Sequence, residues 1–120
     1  MNEELIKTSQ EEFDQLRASG KKDFRRYDLS GLNLRGADLA RADLRGANLT
    51  GANLTGATLT YANFVDANLT GADLTGAYLI FSNLTGTNFT NANLEYANFV
   101  GANLEGANFT DTKNIDKAIG

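Results

Sequence analysis

The sequence contains no cysteine, proline, histidine or tryptophan among its 120 residues. Without cysteine, the chain can form neither a disulfide framework nor a thiolate metal site, so its stability does not depend on an oxidising compartment. The lack of histidine and cysteine also removes the commonest general base and the strongest side-chain nucleophile. The absence of proline suits a backbone whose N–H groups nearly all donate hydrogen bonds.

Charged residues are scarce in the middle of the chain. Residues 1–45 contain nine Lys or Arg and nine acidic residues, whereas residues 46–110 contain no Lys or Arg and only four acids, namely Asp66, Asp73, Glu95 and Glu105. A weakly acidic segment would not attract phosphate backbones, so no direct nucleic-acid binding is expected. The sequence has no secretory signal and no run of 18 apolar residues, which predicts a cytoplasmic protein without a membrane span.

A repeat of five residues, here called a word, fills most of the chain. Leu or Phe recurs at every fifth position from Phe24 to Phe109, which makes 18 consecutive words. Two residues before each of these centres stands Ala in 13 words, and one residue before the centre stands Asn in 11 words and Asp in five. The segment GANLTGANLT, residues 46–55, shows the word twice.

A period of five fits neither an α-helix nor a straight strand. On a helix, five residues advance about 500°, so the apolar centres would drift around every face. On a strand, an odd period sends alternate centres to opposite faces. A chain that keeps every centre inside must therefore bend by a fixed amount in each word, and Asn, Asp and Gly are the residues that tolerate such bends. The pattern predicts an all-β solenoid.

The words ADLAR, ADLRG, ANLTG and ANFVG resemble the A(D/N)LXX word of the pentapeptide-repeat family. The resemblance covers residues 22–111 and implies a right-handed quadrilateral β-helix with four words in each coil. It would give about four and a half coils, preceded by an N-terminal tail and capping helix in residues 1–21 and followed by a C-terminal cap or tail in residues 112–120.

The centres of the words are expected to fill the core. The small Ala residues two positions before them are expected to allow the sides of each coil to pack closely. The predicted core residues are Leu29, Leu34, Leu39, Leu44, Leu49, Leu54, Leu59, Phe64, Leu69, Leu74, Leu79, Leu84, Phe89, Leu94, Phe99, Leu104 and Phe109.

An exposed solenoid end invites stacking of another chain, so a cap is expected at the N-terminus. Ser9 and Glu12 have the spacing of a capping box, and Phe13 and Leu16 follow at helical spacing. We predict an amphipathic helix over about residues 9–19 that covers the first coil, with a docking helix as the alternative. The C-terminal end is expected to be less protected.

Positions 20 apart stack in columns if four words close a coil. One face then carries Tyr61, Tyr78, Ile80, Phe81 and Val100 on its outside. A contiguous apolar patch of this kind is typical of a contact surface, most simply one between two copies of the chain. A tolerated apolar stripe and an apolar ligand site are the alternatives.

The sequence predicts a non-catalytic interaction or structural module, with no cofactor and no metal. Asp23 and Asp43 share a column, but surface pairs with Arg25 and Arg45 suit them better than an acid–base dyad or a cation site. Some proteins of the family that the chain resembles mimic DNA, bind DNA gyrase and confer quinolone resistance, and that role is the alternative. The chain has only four acids in its repeated segment, and uncharged Asn cannot mimic phosphate.

Overall fold

Each word of the repeat closes a tight turn in the computed structural model, which describes residues 4–120. In the word centred on Leu34, the N–H of Ala37 donates to the Leu34 carbonyl over 3.0 Å, and Gly36 has a φ of +64°. A positive φ at the third turn position is the mark of a type II turn and is easiest for Gly. The Oδ1 atom of Asn33 accepts from the N–H of Arg35, which explains why Asn and Asp dominate that position.

Parallel bridges join residues 20 positions apart along the repeated segment. Asn48 bridges to Asn68, and Asn68 bridges to Asn88. The N–H of Leu49 donates to the Asn68 carbonyl over 2.7 Å, and the N–H of Asn68 donates to the Ala47 carbonyl over 2.9 Å. Because this pattern repeats from word to word, each stretch of 20 residues stacks on the next, and the chain forms a solenoid.

The centres and the small residues two positions before them form one continuous core. Every predicted core residue from Leu29 to Phe99 is buried, and so is Phe24, the first centre. Leu104 and Phe109 are only partly buried, because they lie in the last stretch of words. Two polar residues that replace Ala are also buried and find partners: Ser82 Oγ donates to the Leu79 carbonyl and Thr87 Oγ1 to the Phe64 carbonyl.

Helix α1 spans Gln10–Ala18, close to the predicted range. Ser9 accepts a hydrogen bond from the N–H of Glu12, but the Glu12 carboxylate accepts from Thr8 Oγ1, so only the Ser9 half of the predicted capping box forms. Ser19 is the C-cap of the helix, and Gly20 follows it with a φ of +92°, as expected for the residue after a C-cap.

The segment around α1 is attached to the first words by backbone and side-chain contacts. Strand β1, Ile6–Lys7, pairs in parallel with β2, Tyr27–Asp28. The side-chain amide of Gln10 donates to the Asn33 carbonyl and accepts from the Asn33 N–H, so it pairs with Asn33 as a neighbouring strand would. The ring of Phe13 is buried against that of Phe24, with centroids 4.8 Å apart.

The chain after the last word continues to stack on the solenoid. Residues Ile115–Lys117 form a 3-10 turn, and Ile119 bridges to Asn98. Ile115 and Ile119 remain about half exposed and line an apolar hollow with Phe99, Leu104 and Phe109. Residues 1–3 of the predicted N-terminal segment lie outside the described residues.

Candidate interaction face

One side of the solenoid is built from the words centred on Leu39, Leu59, Leu79 and Phe99. Parallel bridges link Asp38 to Thr58, Thr58 to Tyr78, and Tyr78 to Asn98, so these four words stack in register. The outward positions of this side contain Tyr61, Tyr78, Ile80, Phe81 and Val100, the residues singled out in the sequence. We call these five residues the aromatic face.

The structure places the residues of the aromatic face side by side but exposes them unequally. Tyr61 is 50% exposed, Tyr78 48%, Phe81 52% and Val100 45%. Ile80 is only partly exposed and lies among the others. The sequence predicted that Ile80 points outward like the others. Its position, one residue after the centre, is also only partly exposed in other words, as at Thr60 and Thr90.

A stack of side chains runs along the face parallel to the solenoid axis. The Arg41 guanidinium lies 4.6 Å from the centroid of the Tyr61 ring, and that ring lies 5.4 Å from the Phe81 ring with 20° between their planes. The Phe81 ring in turn covers Gly101, where an added Cβ would clash with it. Arg41 and Gly101 share the column of Tyr61 and Phe81, and this spacing was the available signal that they belong to the site.

The stack stands on turn positions that usually suit Gly. Arg41, Tyr61 and Phe81 have φ values of +64°, +61° and +57°. A non-Gly residue in this left-handed region costs roughly 1–2 kcal/mol. An aromatic pair contributes roughly 0.5–1.5 kcal/mol and an exposed cation–π contact roughly 0.5–1 kcal/mol, so the stack offsets only part of that cost. The same positive φ recurs at this turn position in other words, as at Asp66 and Asn91, so it belongs to the repeat and not to this face alone.

Gly101→Ala is expected to disturb the stack, because the added Cβ would meet the Phe81 ring. Gly106→Ala is a matched control: Gly106 has a φ of +70° against +72° for Gly101, and its added Cβ would meet nothing closer than 3.8 Å. Both variants should lose stability from the positive φ, but Gly101→Ala should also change the near-ultraviolet circular dichroism of the Tyr and Phe rings. Identical spectra for the two variants would show that the ring does not depend on Gly101.

A cluster of charged side chains lies near the N-terminal end, on a different side. Arg45 Nη2 contacts Asp43 Oδ2 at 2.7 Å, and Arg25 Nη2 contacts Asp23 Oδ2 at 2.8 Å. Hydrogen bonds from Arg25 hold the pKa of Asp23 below its usual value, and hydrogen bonds from Arg45 lower that of Asp43. Since each carboxylate is engaged by an arginine, the cluster forms surface ion pairs, as the sequence suggested.

Polar side chains on the other sides bond mainly within their own words. Thr70 Oγ1 donates to Asn68 Oδ1 over 2.6 Å, and Thr90 Oγ1 donates to Asn88 Oδ1 over the same distance. These hydroxyls are therefore already used in local turns. Within residues 4–120, no group of three or more acidic residues is arranged to hold a metal ion. No helix in the same residues has the length and apolar character needed to cross a membrane.

The profile of a known family, described as pentapeptide repeats in eight copies, matches residues 21–46, 37–76 and 72–111. The chain belongs to the pentapeptide-repeat family. The match covers the whole run of words that builds the solenoid, so the family resemblance seen in the sequence is confirmed. No curated protein matches the chain.

Solved pentapeptide-repeat structures are similar to this one. HetL, which is involved in heterocyst differentiation regulation in the cyanobacterium Nostoc sp. strain PCC 7120, is 42% identical with a TM-score of 0.58 over 78% of this chain. The match covers 40% of HetL, so the chain spans well under half of that protein. This likeness supports a right-handed β-helix solenoid.

Two further pentapeptide-repeat structures show weaker global likeness. A protein from the Arabidopsis thaliana thylakoid lumen is 41% identical, with a TM-score of 0.40 over 80% of this chain and 71% of that one. QnrB1, a plasmid-mediated fluoroquinolone resistance protein, is 23% identical, with a TM-score of 0.41 over 81% of this chain and 51% of that one.

Proposed function

We propose that this pentapeptide-repeat protein is a non-catalytic protein–protein interaction module that associates with a second copy of itself through the aromatic face. The observation that carries the proposal is the contiguous set of half-exposed side chains Tyr61, Tyr78, Phe81 and Val100 on one side of the solenoid. Isolated exposed apolar residues are ordinary, but adjacent ones in consecutive coils are typical of contact surfaces.

The stack prepares this face for binding. Tyr61 and Phe81 already lie against each other, and Arg41 covers the free side of Tyr61. Ordering a side chain at an interface costs about 0.5–1.5 kcal/mol, and side chains that are held in the free protein avoid much of that cost. The rings therefore present a surface of fixed shape to a partner.

The size of the face favours a weak dimer. A fully buried aromatic side chain removes about 150–250 Å² from water, so three half-exposed rings and Val100 supply roughly 400 Å². A stable interface commonly buries about 800 Å² on each partner. The aromatic face reaches about half of that area, and the polar residues around it must supply the rest. We therefore expect a reversible, concentration-dependent dimer.

The other parts of the chain have supporting roles in the proposal. We propose that residues 1–21 form an N-terminal tail and capping helix, that residues 22–111 form about four and a half quadrilateral coils, and that residues 112–120 form a C-terminal cap or tail. The pairing of Gln10 with the Asn33 backbone and of Phe13 with Phe24 supports the cap. We propose a cytoplasmic location, which suits a chain that has no cysteine.

Mimicry of DNA for binding to DNA gyrase is less well supported. A DNA mimic needs closely spaced negative charge along its surface. The four acids of the repeated segment, Asp66, Asp73, Glu95 and Glu105, fall in four different columns, so they form no regular row. A gyrase supercoiling assay with added protein tests this alternative, and inhibition of supercoiling would support it.

The double variant Ile80→Lys, Phe81→Glu is expected to leave the fold intact and to shift the protein from dimer to monomer, because it introduces charges at the centre of the aromatic face. Sedimentation velocity over a range of concentrations measures this shift, and circular dichroism checks the fold. Thr90→Lys with Asn91→Glu is the matched control, since Thr90 and Asn91 occupy the same positions of a word on the opposite side. A wild-type protein that remains monomeric at millimolar concentration would contradict self-association.

A further inference from the structure

We infer that the second copy binds with its solenoid axis antiparallel to the first, so that the row of Tyr78 faces the row of Thr58 in the other copy. This inference rests on the proposed self-association through the aromatic face. It adds the orientation and the register of the two copies, which follow from the sizes of the outward side chains.

The face consists of four rows of three outward residues, one row from each stacked word. The rows are Asp38, Ala40 and Arg41; Thr58, Thr60 and Tyr61; Tyr78, Ile80 and Phe81; and Asn98, Val100 and Gly101. The third row has three large side chains, whereas each of the other rows has at most one aromatic or long side chain. The face is therefore raised at its third row.

Two copies related by a two-fold axis can lay this face together in two ways. If the two-fold axis is parallel to the solenoid axis, each row meets the same row of the second copy. Tyr78, Ile80 and Phe81 would then meet another set of three large side chains. The two raised rows would hold the remaining rows apart and leave unfilled space, and lost packing contacts of this kind weaken an interface.

If the two-fold axis is perpendicular to the solenoid axis, each column meets itself with its order reversed. Tyr78 and Ile80 then face Thr58 and Thr60 of the second copy, and Val100 faces Ala40. Large side chains meet small ones at each of these positions, and in the remaining column the Phe81 ring faces the Tyr61 ring of the second copy. Arg41 would lie opposite Gly101 of the second copy, which has no side chain of its own but is covered by the Phe81 ring. In this arrangement the raised third row of each copy packs against the lower second row of the other, so the two faces approach closely along their length.

Charge gives one argument for the parallel arrangement, but it is the weaker effect. That arrangement would bring Arg41 near Asp38 of the second copy. An exposed ion pair contributes about 0–1 kcal/mol, whereas burying one large apolar side chain contributes about 1.5–3 kcal/mol. Arg41 is also already placed over the Tyr61 ring. Packing of the third row therefore decides in favour of the antiparallel arrangement.

The test uses two single-cysteine variants, Ala40→Cys and Val100→Cys, because the chain has no cysteine of its own. Both positions lie in the central column of the face. In the antiparallel arrangement, residue 40 faces residue 100 of the other copy across about 10 Å, whereas equal positions lie about 14 Å apart along the axis. In the parallel arrangement, equal positions face each other.

The two variants, one of them carrying a mass tag, are mixed and treated with a bismaleimide linker of about 10 Å, the usual distance between packed sheets. We expect the product that joins position 40 to position 100 to exceed each equal-position product by roughly tenfold, since the equal-position pairs add about 14 Å of separation along the axis. An excess of equal-position products would overturn the inferred orientation. A Thr90→Cys variant on the opposite side measures linking by random collision.

The remaining outcomes separate the orientation from the proposed function. If sedimentation shows a dimer but neither product exceeds the Thr90→Cys background, the copies meet on another surface, and both the orientation and the use of the aromatic face are wrong. If the wild-type protein is monomeric throughout, self-association itself fails. If the equal-position products dominate in a dimer that Ile80→Lys, Phe81→Glu dissociates, the proposed function stands and only the orientation fails.

Discussion

Leu69→Asp is expected to prevent folding. Leu69 lies in the middle of the solenoid and has no exposed surface. The substitution removes about 1.5–3 kcal/mol of apolar burial and places a carboxylate where no partner can reach it, which costs several kcal/mol more. A domain of this size is stable by only about 5–15 kcal/mol in total. Circular dichroism and urea unfolding measure the result, and we expect an unfolded or aggregated product.

Thr70→Asp is the control for this prediction. Thr70 is the next residue in the chain and points outward, where its hydroxyl donates to Asn68 Oδ1 over 2.6 Å. Loss of that bond should cost about 0.5–1.5 kcal/mol, and the new carboxylate stays in water. A folded Thr70→Asp protein beside an unfolded Leu69→Asp protein would establish that Leu69 faces the core and Thr70 faces the solvent. A cooperative unfolding transition of Leu69→Asp at a midpoint near the wild-type value would contradict the assignment.

The buried core residues could be predicted from the sequence because they follow one rule: the Leu or Phe at the centre of each word lies inside the solenoid. A chain that repeats every five residues and keeps its apolar centres inside must bend by the same amount in every word, so Leu29 and Leu69 are buried for the same reason. The rule assumes that each coil is covered on both sides. Leu104 and Phe109 lie in the last words and are only partly buried, so the rule does not reach them fully.

The aromatic face was only partly accessible to sequence reasoning. Column spacing brought Tyr61 and Phe81 together, but it does not say in which direction a side chain leans. The structure shows the stack extending from Arg41 at one end to Gly101 at the other. It also shows that Ile80 is only partly exposed. These details depend on side-chain rotamers, which a repeat pattern does not determine.

Local hydrogen bonds at the N-terminus could also be predicted only in part from the sequence. Ser9 and Glu12 have the spacing of a capping box, yet Glu12 bonds to Thr8 Oγ1. The pairing of Gln10 with both backbone groups of Asn33 has no short-range signal, since the two residues are 23 positions apart. Such long-range pairing depends on how the helix lies on the solenoid, and the sequence therefore left a covering helix and a docking helix both open.

Phe13→Ala distinguishes these two roles of α1. The Phe13 ring is fully buried against the Phe24 ring, and removing a buried Phe side chain typically costs about 3–5 kcal/mol. If α1 is an integral part of the fold, the free energy of unfolding in urea should fall by about this amount in a single transition. If α1 is a separable docking helix, the solenoid should unfold at nearly the wild-type urea concentration while the helix alone becomes sensitive to protease.

The first of these results is the expected one, because α1 is held at several independent points. Strand β1 pairs with β2, and Gln10 pairs with Asn33, so detaching the helix would expose backbone groups of the first words as well as Phe24. Gln15→Ala, at an exposed position of the same helix, keeps helix propensity and should change the unfolding free energy by less than about 0.5 kcal/mol. A loss confined to Phe13→Ala would then come from the buried ring and not from a weakened helix.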